Sequence, residues 1–307
     1  MLFPKALRPG ATVGLVCASS PITPEQKERC VQALEAMGFR VKCAENLNTR
    51  YGGFMAGEGP YRAALVNAMF ADPQVDAILC ARGGDGAGRA VPYLDPDLIR
   101  ANPKPFVGYS DITAFHLVLN QQCGLGTWHG PMASSNMIHG LTEEEKRSLW
   151  ESLTLSDCDF ICPDGSPLRT LKPGRAEGIV TGGNLSLVCA SMGTPYEIET
   201  EGRLLFLEDV HESGARLDRM IWQLRNAGKL SQCAGLLLGQ FTECENGYDP
   251  SYTWLDSFRE ALSGIDIPVM YGLESGHGSP MMTIPLGALG RMDTEAATLT
   301  FHMDRMK

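Results

Sequence analysis

Phe106-Val-Gly-Tyr-Ser110-Asp-Ile-Thr-Ala-Phe115 joins a β-like segment directly to a helical one, with a serine at the junction. In such an elbow the serine side chain projects, and the first N–H groups of the new helix have no partner inside the helix. The stretch therefore predicts an exposed nucleophile with backbone donors beside it. Because the second glycine of the usual G-x-S-x-G elbow is absent, Ser110 as a simple helix cap is the alternative.

The segments on both sides of this elbow alternate between strand and helix patterns. Short apolar runs rich in β-branched residues predict strands over residues 12–17, 39–43, 75–80 and 105–109. A cap residue, an early proline and a final glycine predict a helix from Pro24 to Gly38, and a second helix is predicted over 59–70. Repeated alternation implies right-handed crossovers and a parallel sheet. The predicted fold class is α/β, with the elbow in an N-terminal parallel-sheet domain.

The pattern weakens after a predicted helix over 143–153, where prolines and glycines become frequent. We expect an N-terminal α/β domain over 1–155, an inter-domain linker over 156–175 and a smaller C-terminal domain of mixed α and β segments over 176–307. A chain of 307 residues is long enough for two such cores. Strands of the second domain are predicted over 178–181, 203–207, 234–239, 268–271, 283–286 and 297–301, and helices over 184–192 and 216–226.

The composition narrows the class of protein. A net charge of −10 and the lack of a basic run argue against nucleic acid or an anionic membrane as the main partner. Neither a signal-peptide core nor an apolar run of about 18 residues is found, so we expect a cytoplasmic protein. The ten cysteines are scattered through core-like segments, which indicates buried thiols. We expect no metal, because Cys158 and Cys162 have no second ligand pair near them, and we expect no cofactor.

Acyl transfer at Ser110 would require a base, a carboxylate that orients the base, and donors for an oxyanion. His129 and His277 lie in glycine-flanked segments, which we expect to be loops that present a ring to a cleft. Glu208 and Asp209 directly follow an apolar strand and are candidates for the carboxylate, although acids at a strand end are often simply solvated.

A glycine turn after the third predicted strand is a candidate for the oxyanion donors. Gly83 and Gly84 would let backbone N–H groups approach a substrate closely. A dinucleotide-binding loop is the rival interpretation of the same turn. It is disfavoured because Arg89 stands where that motif requires a small residue, and because the turn follows the third strand rather than the first.

Several short motifs occur together and in order over nearly the whole chain. They are Arg82-Gly-Gly, Phe106-Val-Gly-Tyr-Ser-Asp-Ile-Thr, Trp128-His-Gly-Pro, Gly182-Gly-Asn-Leu-Ser, Leu205-Phe-Leu-Glu-Asp, Asp218-Arg219, Gly276-His277 and Ile284-Pro-Leu-Gly287. With this ordered set the chain resembles the LD-carboxypeptidase family of serine peptidases. That family includes muramoyl-tetrapeptide carboxypeptidases and microcin C self-immunity peptidases.

The resemblance implies a role for each matching position. Ser110 would be the nucleophile, His277 the general base and Glu208 the carboxylate that orients it. The backbone N–H groups of Gly84 and Asp111 would form the oxyanion hole. The resemblance also implies an active site between the two domains, commonly in a homodimer.

The expected substrate is less narrowly defined by the resemblance. Substrate contacts are expected at Gly83, Asp85, Tyr109 and Trp128, and Asp85 stands where many members of the family have a tyrosine. The leading substrate is the murein tetrapeptide of cell-wall recycling, which would lose its terminal D-Ala. The alternative is a peptidyl-nucleotide of the microcin C type, whose base could stack on Trp128 or Tyr109. A non-catalytic ligand-binding module is the third hypothesis, and the retained serine, glutamate and histidine argue against it.

Overall fold

A computed structural model describes residues 1–306, which fall into two compact units. Of the described residues, the first unit contains 1–156, 283–287 and 303–306. The second contains residues 157–282 and 288–302. The division differs from the predicted domains, because 156–175 lies almost wholly in the second unit and 283–287 belongs to the first.

Strands and helices alternate through most of the chain. The strands are β1 (Thr12–Val16), β2 (Arg40–Cys43), β3 (Ala77–Cys80), β4 (Phe106–Gly108), β5 (Thr127–His129), β6 (Asp157–Asp159), β7 (Arg169–Lys172), β8 (Arg175–Asn184), β9 (Leu204–Val210), β10 (Gly235–Thr242), β11 (Val269–Tyr271), β12 (Ile284–Leu286), β13 (Leu289–Asp293) and β14 (Thr298–His302). The α-helices are α1 (Pro24–Ala36), α2 (Gly59–Ala71), α3 (Pro96–Ala101), α4 (Thr113–Gln121), α5 (Glu143–Thr154), α6 (Leu185–Ser191), α7 (Gly214–Asn226), α8 (Lys229–Gln232) and α9 (Trp254–Ala261).

The first unit contains a six-stranded sheet in the order β12-β5-β4-β3-β1-β2. Strands β1 to β5 are parallel, which confirms the predicted sheet, and β12 pairs antiparallel with β5 at the edge. The segment Trp128-His129 was predicted to be a loop, and this prediction was wrong. It forms β5, which is only three residues long and therefore too short to show a strand periodicity in the sequence.

Most of the predicted helices of the first unit are confirmed. Thr23 accepts a hydrogen bond from the N–H of Gln26, and the Gln26 side chain accepts one from the N–H of Thr23, so α1 begins with a capping box. The predicted apolar face of the helix after the elbow, which contains Ile112, Phe115 and Leu119, is completely buried. Around Arg89, where a helical stretch was expected, the chain forms two short 3-10 turns.

The second unit contains an eight-stranded mixed sheet in the order β6-β14-β13-β8-β9-β10-β11-β7. Strands β8 to β11 are parallel, and the outer strands pair antiparallel. Both edge strands, β6 and β7, come from the segment 156–175 that was predicted to be a linker. They are short and mostly exposed, so the sequence has no apolar run to indicate them.

Eight of the ten cysteines are buried thiols, and Cys43 and Cys158 are partly exposed. Burial raises the pKa of the Cys17 thiol to about 12, so this group is neutral and unreactive at physiological pH. Within residues 1–306, no helix is both long and apolar enough to cross a bilayer.

Candidate active site

Ser110 lies at the junction between β4 and the turn that leads into α4. Its φ is +66°, a left-handed conformation that is uncommon for a residue with a side chain. A 3-10 turn over Ser110–Ile112 precedes α4, and neither the turn nor α4 has a side-chain cap. Ser110 is therefore not a helix cap, and it stands in the strained conformation typical of a nucleophile elbow.

The strand before the elbow is fixed from two sides. A Cβ added at Gly108 would lie 2.9 Å from the Ile112 side chain, so the helix approaches the strand closely only because this residue is glycine. His116 lies on α4, and its Nε2 is 2.8 Å from the carbonyl oxygen of Gly108. Because burial lowers the pKa of His116 to about 4, the ring is neutral, and Nε2–H donates to that oxygen. His116 thus has a structural role in the elbow.

The glycine turn after β3 lies directly against Ser110. A Cβ added at Gly83 would lie 2.8 Å from the Ser110 Cβ and 3.1 Å from its Oγ. Gly84 has a φ of +115°, and a Cβ there would overlap Ser20 Oγ. The following residue, Asp85, is exposed, and its N–H donates to Ser20 Oγ over 3.1 Å. The backbone of the turn can therefore pass close to Ser110 and Ser20 only because Gly83 and Gly84 have no side chains.

The side chain of Asp111 has a function that the sequence analysis missed. Only 5% of Asp111 is exposed, and its carboxylate accepts hydrogen bonds from the Ser19 hydroxyl and, over 2.8 Å, from the N–H of Ala87. Burial raises the pKa of Asp111, and these two hydrogen bonds partly offset that rise. The residue after the serine thus ties the elbow to the ends of two other loops. The available signal was an acid placed immediately before an apolar helix face.

Glu208 and His277 form a hydrogen-bonded pair in the second unit. Glu208 lies in β9 and is completely buried, and its Oε2 is 2.7 Å from Nδ1 of His277. Burial raises the pKa of Glu208. Burial alone would lower the pKa of His277, but the charge and hydrogen bond of Glu208 outweigh it, so this pKa is raised. The carboxylate thus accepts from Nδ1–H and fixes the orientation and the tautomer of the ring.

The loop that carries His277 is held by close contacts and by Gln240. A Cβ added at Gly276 would lie 2.9 Å from Oε2 of Glu208, so glycine is required for the two side chains to meet. Gln240, in β10, accepts a hydrogen bond from the N–H of Gly278 over 2.8 Å and donates to the carbonyl oxygen of Pro280 over 3.0 Å. Gln240 was missed by the sequence analysis, although an amide in an otherwise apolar strand was a signal.

The two acids after the apolar strand have different partners. Asp209 is buried and accepts hydrogen bonds from Asn184 Nδ2 over 2.9 Å and from the N–H and hydroxyl of Ser186 over 2.9 and 2.8 Å. These partners come from the Gly-Gly-Asn-Leu-Ser motif at the start of α6. Asp209 therefore anchors this helix to β9, whereas Glu208 orients the histidine.

Two aromatic residues predicted to contact substrate are buried. Trp128 has no exposed surface, its indole Nε1 donates to the carbonyl oxygen of Ser152 over 2.9 Å, and its ring packs edge-on against Phe3. Tyr109 is only 6% exposed and packs edge-on against His129. Trp128, suggested as one of two residues on which a base could stack, therefore exposes no ring face to a ligand.

His129, one of the two histidines expected in an exposed loop, is completely buried in β5. Of the expected substrate contacts, Asp85 is exposed, whereas Gly83 is buried beside the serine. The first unit therefore brings together Ser110, the glycine turn and Asp111, and the second brings together Glu208 and His277.

Comparison with known proteins identifies the family. The model described as the LD-carboxypeptidase N-terminal domain matches residues 13–130, and the one described as the LD-carboxypeptidase C-terminal domain matches residues 177–292. A probable murein peptide carboxypeptidase of Bacillus subtilis is 39% identical over 96% of this chain and 92% of its own length.

Two further relatives cover nearly the full length of the chain. A murein tetrapeptide carboxypeptidase of Pseudomonas aeruginosa is 30% identical over 90% of this chain and 91% of its own. The solved structure of MccF in complex with glutamyl sulfamoyl guanosine superposes with a TM-score of 0.90, at 25% identity, over 99% of both chains. The chain therefore belongs to the LD-carboxypeptidase family of peptidases.

Proposed function

We propose that this protein is a serine carboxypeptidase that hydrolyses the L,D peptide bond to the terminal D-Ala of murein tetrapeptide in cell-wall recycling. The observation that carries the proposal is the left-handed conformation of Ser110 directly against the glycine turn. The names of the relatives, murein peptide and murein tetrapeptide carboxypeptidase, support the substrate.

In the proposed reaction, Ser110 Oγ attacks the carbonyl carbon of the scissile bond while His277 Nε2 takes the hydroxyl proton. Glu208 holds the His277 tautomer and stabilises the imidazolium that forms. The negative charge that develops on the carbonyl oxygen is met by the N–H groups of Gly84 and Asp111. D-Ala leaves with the proton from His277, and a water activated by the same nitrogen then releases the acyl group from Ser110.

The proposal is tested with purified protein and the tetrapeptide L-Ala-D-Glu-meso-diaminopimelate-D-Ala, following D-Ala release by mass spectrometry. We expect release by the wild type and a loss of roughly 10⁴-fold or more in Ser110→Ala. A fluorophosphonate should label the wild type at Ser110 and leave the variant unlabelled. Unchanged release by the variant would show that another residue is the nucleophile. A zinc-restorable loss of activity on chelation would contradict the metal-free mechanism.

Substrate selection is proposed to depend on Asp85, which is exposed next to the glycine turn. Its side chain has no part in the proposed chemical step, so Asp85→Ala should change KM for the tetrapeptide and leave kcat nearly unchanged. If Asp85→Ala left both KM and kcat unchanged, Asp85 would not be part of the substrate site.

Hydrolysis of a peptidyl-nucleotide is the second candidate, because the close structural neighbour MccF binds glutamyl sulfamoyl guanosine. The burial of Trp128 and Tyr109, the two aromatic residues suggested for stacking on the base, argues against this candidate. A panel of murein tetrapeptide and an aminoacyl-nucleotide analogue separates the candidates by which compound is cleaved. Binding of either compound without cleavage would favour the non-catalytic ligand-binding module.

We further propose that the protein acts in the cytoplasm as a homodimer, on the basis of its family. Light scattering on the purified protein should give twice the monomer mass, and a monomer mass at micromolar concentration would reject the dimer.

A further inference from the structure

Arg62, in α2, is completely buried, which is rare for a guanidinium because desolvation of a charge is costly. Nε donates to the carbonyl oxygen of Gly57 over 3.0 Å, one terminal nitrogen to that of Ala18 over 2.6 Å, and the other to that of Gly86 over 2.7 Å. One rigid planar group therefore holds three separate loops.

Asp111 is the counterpart of this cation. Its carboxylate interacts electrostatically with Arg62 and accepts hydrogen bonds from Ser19 and Ala87. Ser19 follows Ala18 in the chain, and Ala87 follows Gly86. Arg62 thus binds the carbonyl oxygens of Ala18 and Gly86, and Asp111 binds the donor groups of the residues that follow them. Both charges therefore fix the same two segments of the chain.

These two segments determine the conformation of the glycine turn. Gly84 and Gly86 both have positive φ, and glycine-rich backbone has little conformational preference of its own. The Arg62 clamp on Gly86 and the Asp111 bond to Ala87 act directly at the end of this turn. Its other end is held by the N–H of Ser20, which donates to the carbonyl oxygen of Gly83 over 3.2 Å.

We infer that Arg62 is a positioning residue for the oxyanion hole, which together with Asp111 holds the Gly83–Gly86 turn against the Ser110 elbow. The inference rests on the proposed function, because it concerns where the N–H groups of Gly84 and Asp111 lie in the transition state. Asp111 has two roles in the proposed oxyanion hole. Its backbone N–H is one of the two donors, and its side chain fixes the loop that carries the other donor, the N–H of Gly84.

The test compares Arg62→Met and Arg62→Lys with the wild type. A displacement of about 1 Å at a catalytic group can reduce the rate roughly 100-fold, so we expect kcat of Arg62→Met to fall by about that factor with little change in KM. Lysine keeps the charge but cannot donate to three carbonyls from one plane, so Arg62→Lys should show a smaller fall.

Arg305 provides a matched control in the same unit. It also donates to three carbonyl groups, those of Pro4, Ser152 and Leu155, and its guanidinium lies over the ring of Trp128. Arg305→Met and Arg62→Met should both lower the melting temperature, but Arg305→Met should leave kcat of the folded protein unchanged.

Two further measurements separate positioning from stability. The rate at which a fluorophosphonate labels Ser110 depends on the oxyanion donors, so it should fall in Arg62→Met and not in Arg305→Met. Methylguanidinium added to Arg62→Ala should restore part of kcat. The inference would be overturned if Arg62→Met kept the kcat and the labelling rate of the wild type. It would also be overturned if kcat and labelling rate fell as much in Arg305→Met as in Arg62→Met.

If Arg62→Met does not fold, Arg62→Lys and Asp111→Asn carry the same comparison. Wild-type protein that cleaves neither candidate substrate would reject the proposed function, whereas the labelling rates would still decide the role of Arg62.

Discussion

The elbow of the first unit and the Glu208–His277 pair of the second are built on different physical principles. At the elbow, the geometry depends on backbone conformation, with left-handed φ at Ser110, Gly84 and Gly86. At the pair, it depends on a buried charge and one hydrogen bond of 2.7 Å. The elbow should therefore fail when atoms are added, and the pair should fail when a charge is removed.

After Ser110→Ala, the largest effect is expected for Glu208→Gln, which removes the charge from the pair. Loss of the orienting carboxylate should lower kcat by roughly 10³ to 10⁴-fold. Since Glu208 raises the pKa of His277, and only the neutral ring accepts a proton, the acid limb of the kcat/KM profile should also move to lower pH. The measurement is a pH profile of tetrapeptide hydrolysis.

A second His–Glu pair in the same unit is the control. His211 Nδ1 lies 2.9 Å from Glu243 Oε2, but both side chains are exposed, so Glu243→Gln should leave kcat and the pH profile unchanged. A Glu208→Gln enzyme that keeps kcat within a few-fold would show that the buried pair has no role in catalysis.

The next largest effect is expected for Gly84→Ala, which adds one methyl group to the elbow region. Its φ of +115° and the overlap with Ser20 Oγ would displace the turn, and we expect kcat to fall by about 100-fold. Gly88 lies in the same loop, has no positive φ and has open space at its Cβ position, so Gly88→Ala should be neutral. If Gly84→Ala and Gly88→Ala were equally active, the Gly84 N–H would have no role in the reaction.

A smaller effect is expected for Gln240→Ala, which removes both side-chain bonds that hold the His277 loop. We expect kcat to fall by roughly 10-fold, because misplacement of a catalytic group by less than 1 Å costs less than the full factor. Gln232→Ala, at an exposed position of α8, is the control. A variant in which stability falls but kcat is retained would limit Gln240 to a structural role.

The smallest effect on activity is expected for Trp128→Phe. The variant loses the indole bond to Ser152, so the free energy of unfolding should fall by about 1 kcal/mol, while kcat and KM of the folded protein stay unchanged. Chemical denaturation and steady-state kinetics measure the two quantities. A rise in KM without a change in kcat would show that Trp128 contributes to substrate binding.

The parts of the fold that depend on local interactions were predictable. The cap and the apolar spacing of α1 depend on contacts between residues close in sequence. Strands β1 to β4 each lie within a contiguous run that has a strand pattern, although their ladder partners are far apart in the chain. β5 was missed because glycines flank it, and β6 and β7 were missed because neither contains an apolar run. β13 and α9 were missed as well, although they are longer. For the site, the motifs indicated Glu208 and His277, whereas the only local signal for Gln240 was a single amide in an apolar strand, which does not show what the amide binds.

The sequence by itself determined the elbow at Ser110, the glycine turn and the family. The elbow and the turn depend on steric effects that act over a few consecutive residues, and the family is recognised from short contiguous motifs. Only the tertiary structure decided that β12 joins the first sheet, that Trp128 lies in the core, and that Arg62 and Asp111 bind the same two loops. These contacts join residues far apart in the chain. Their geometry depends on packing that no single segment encodes.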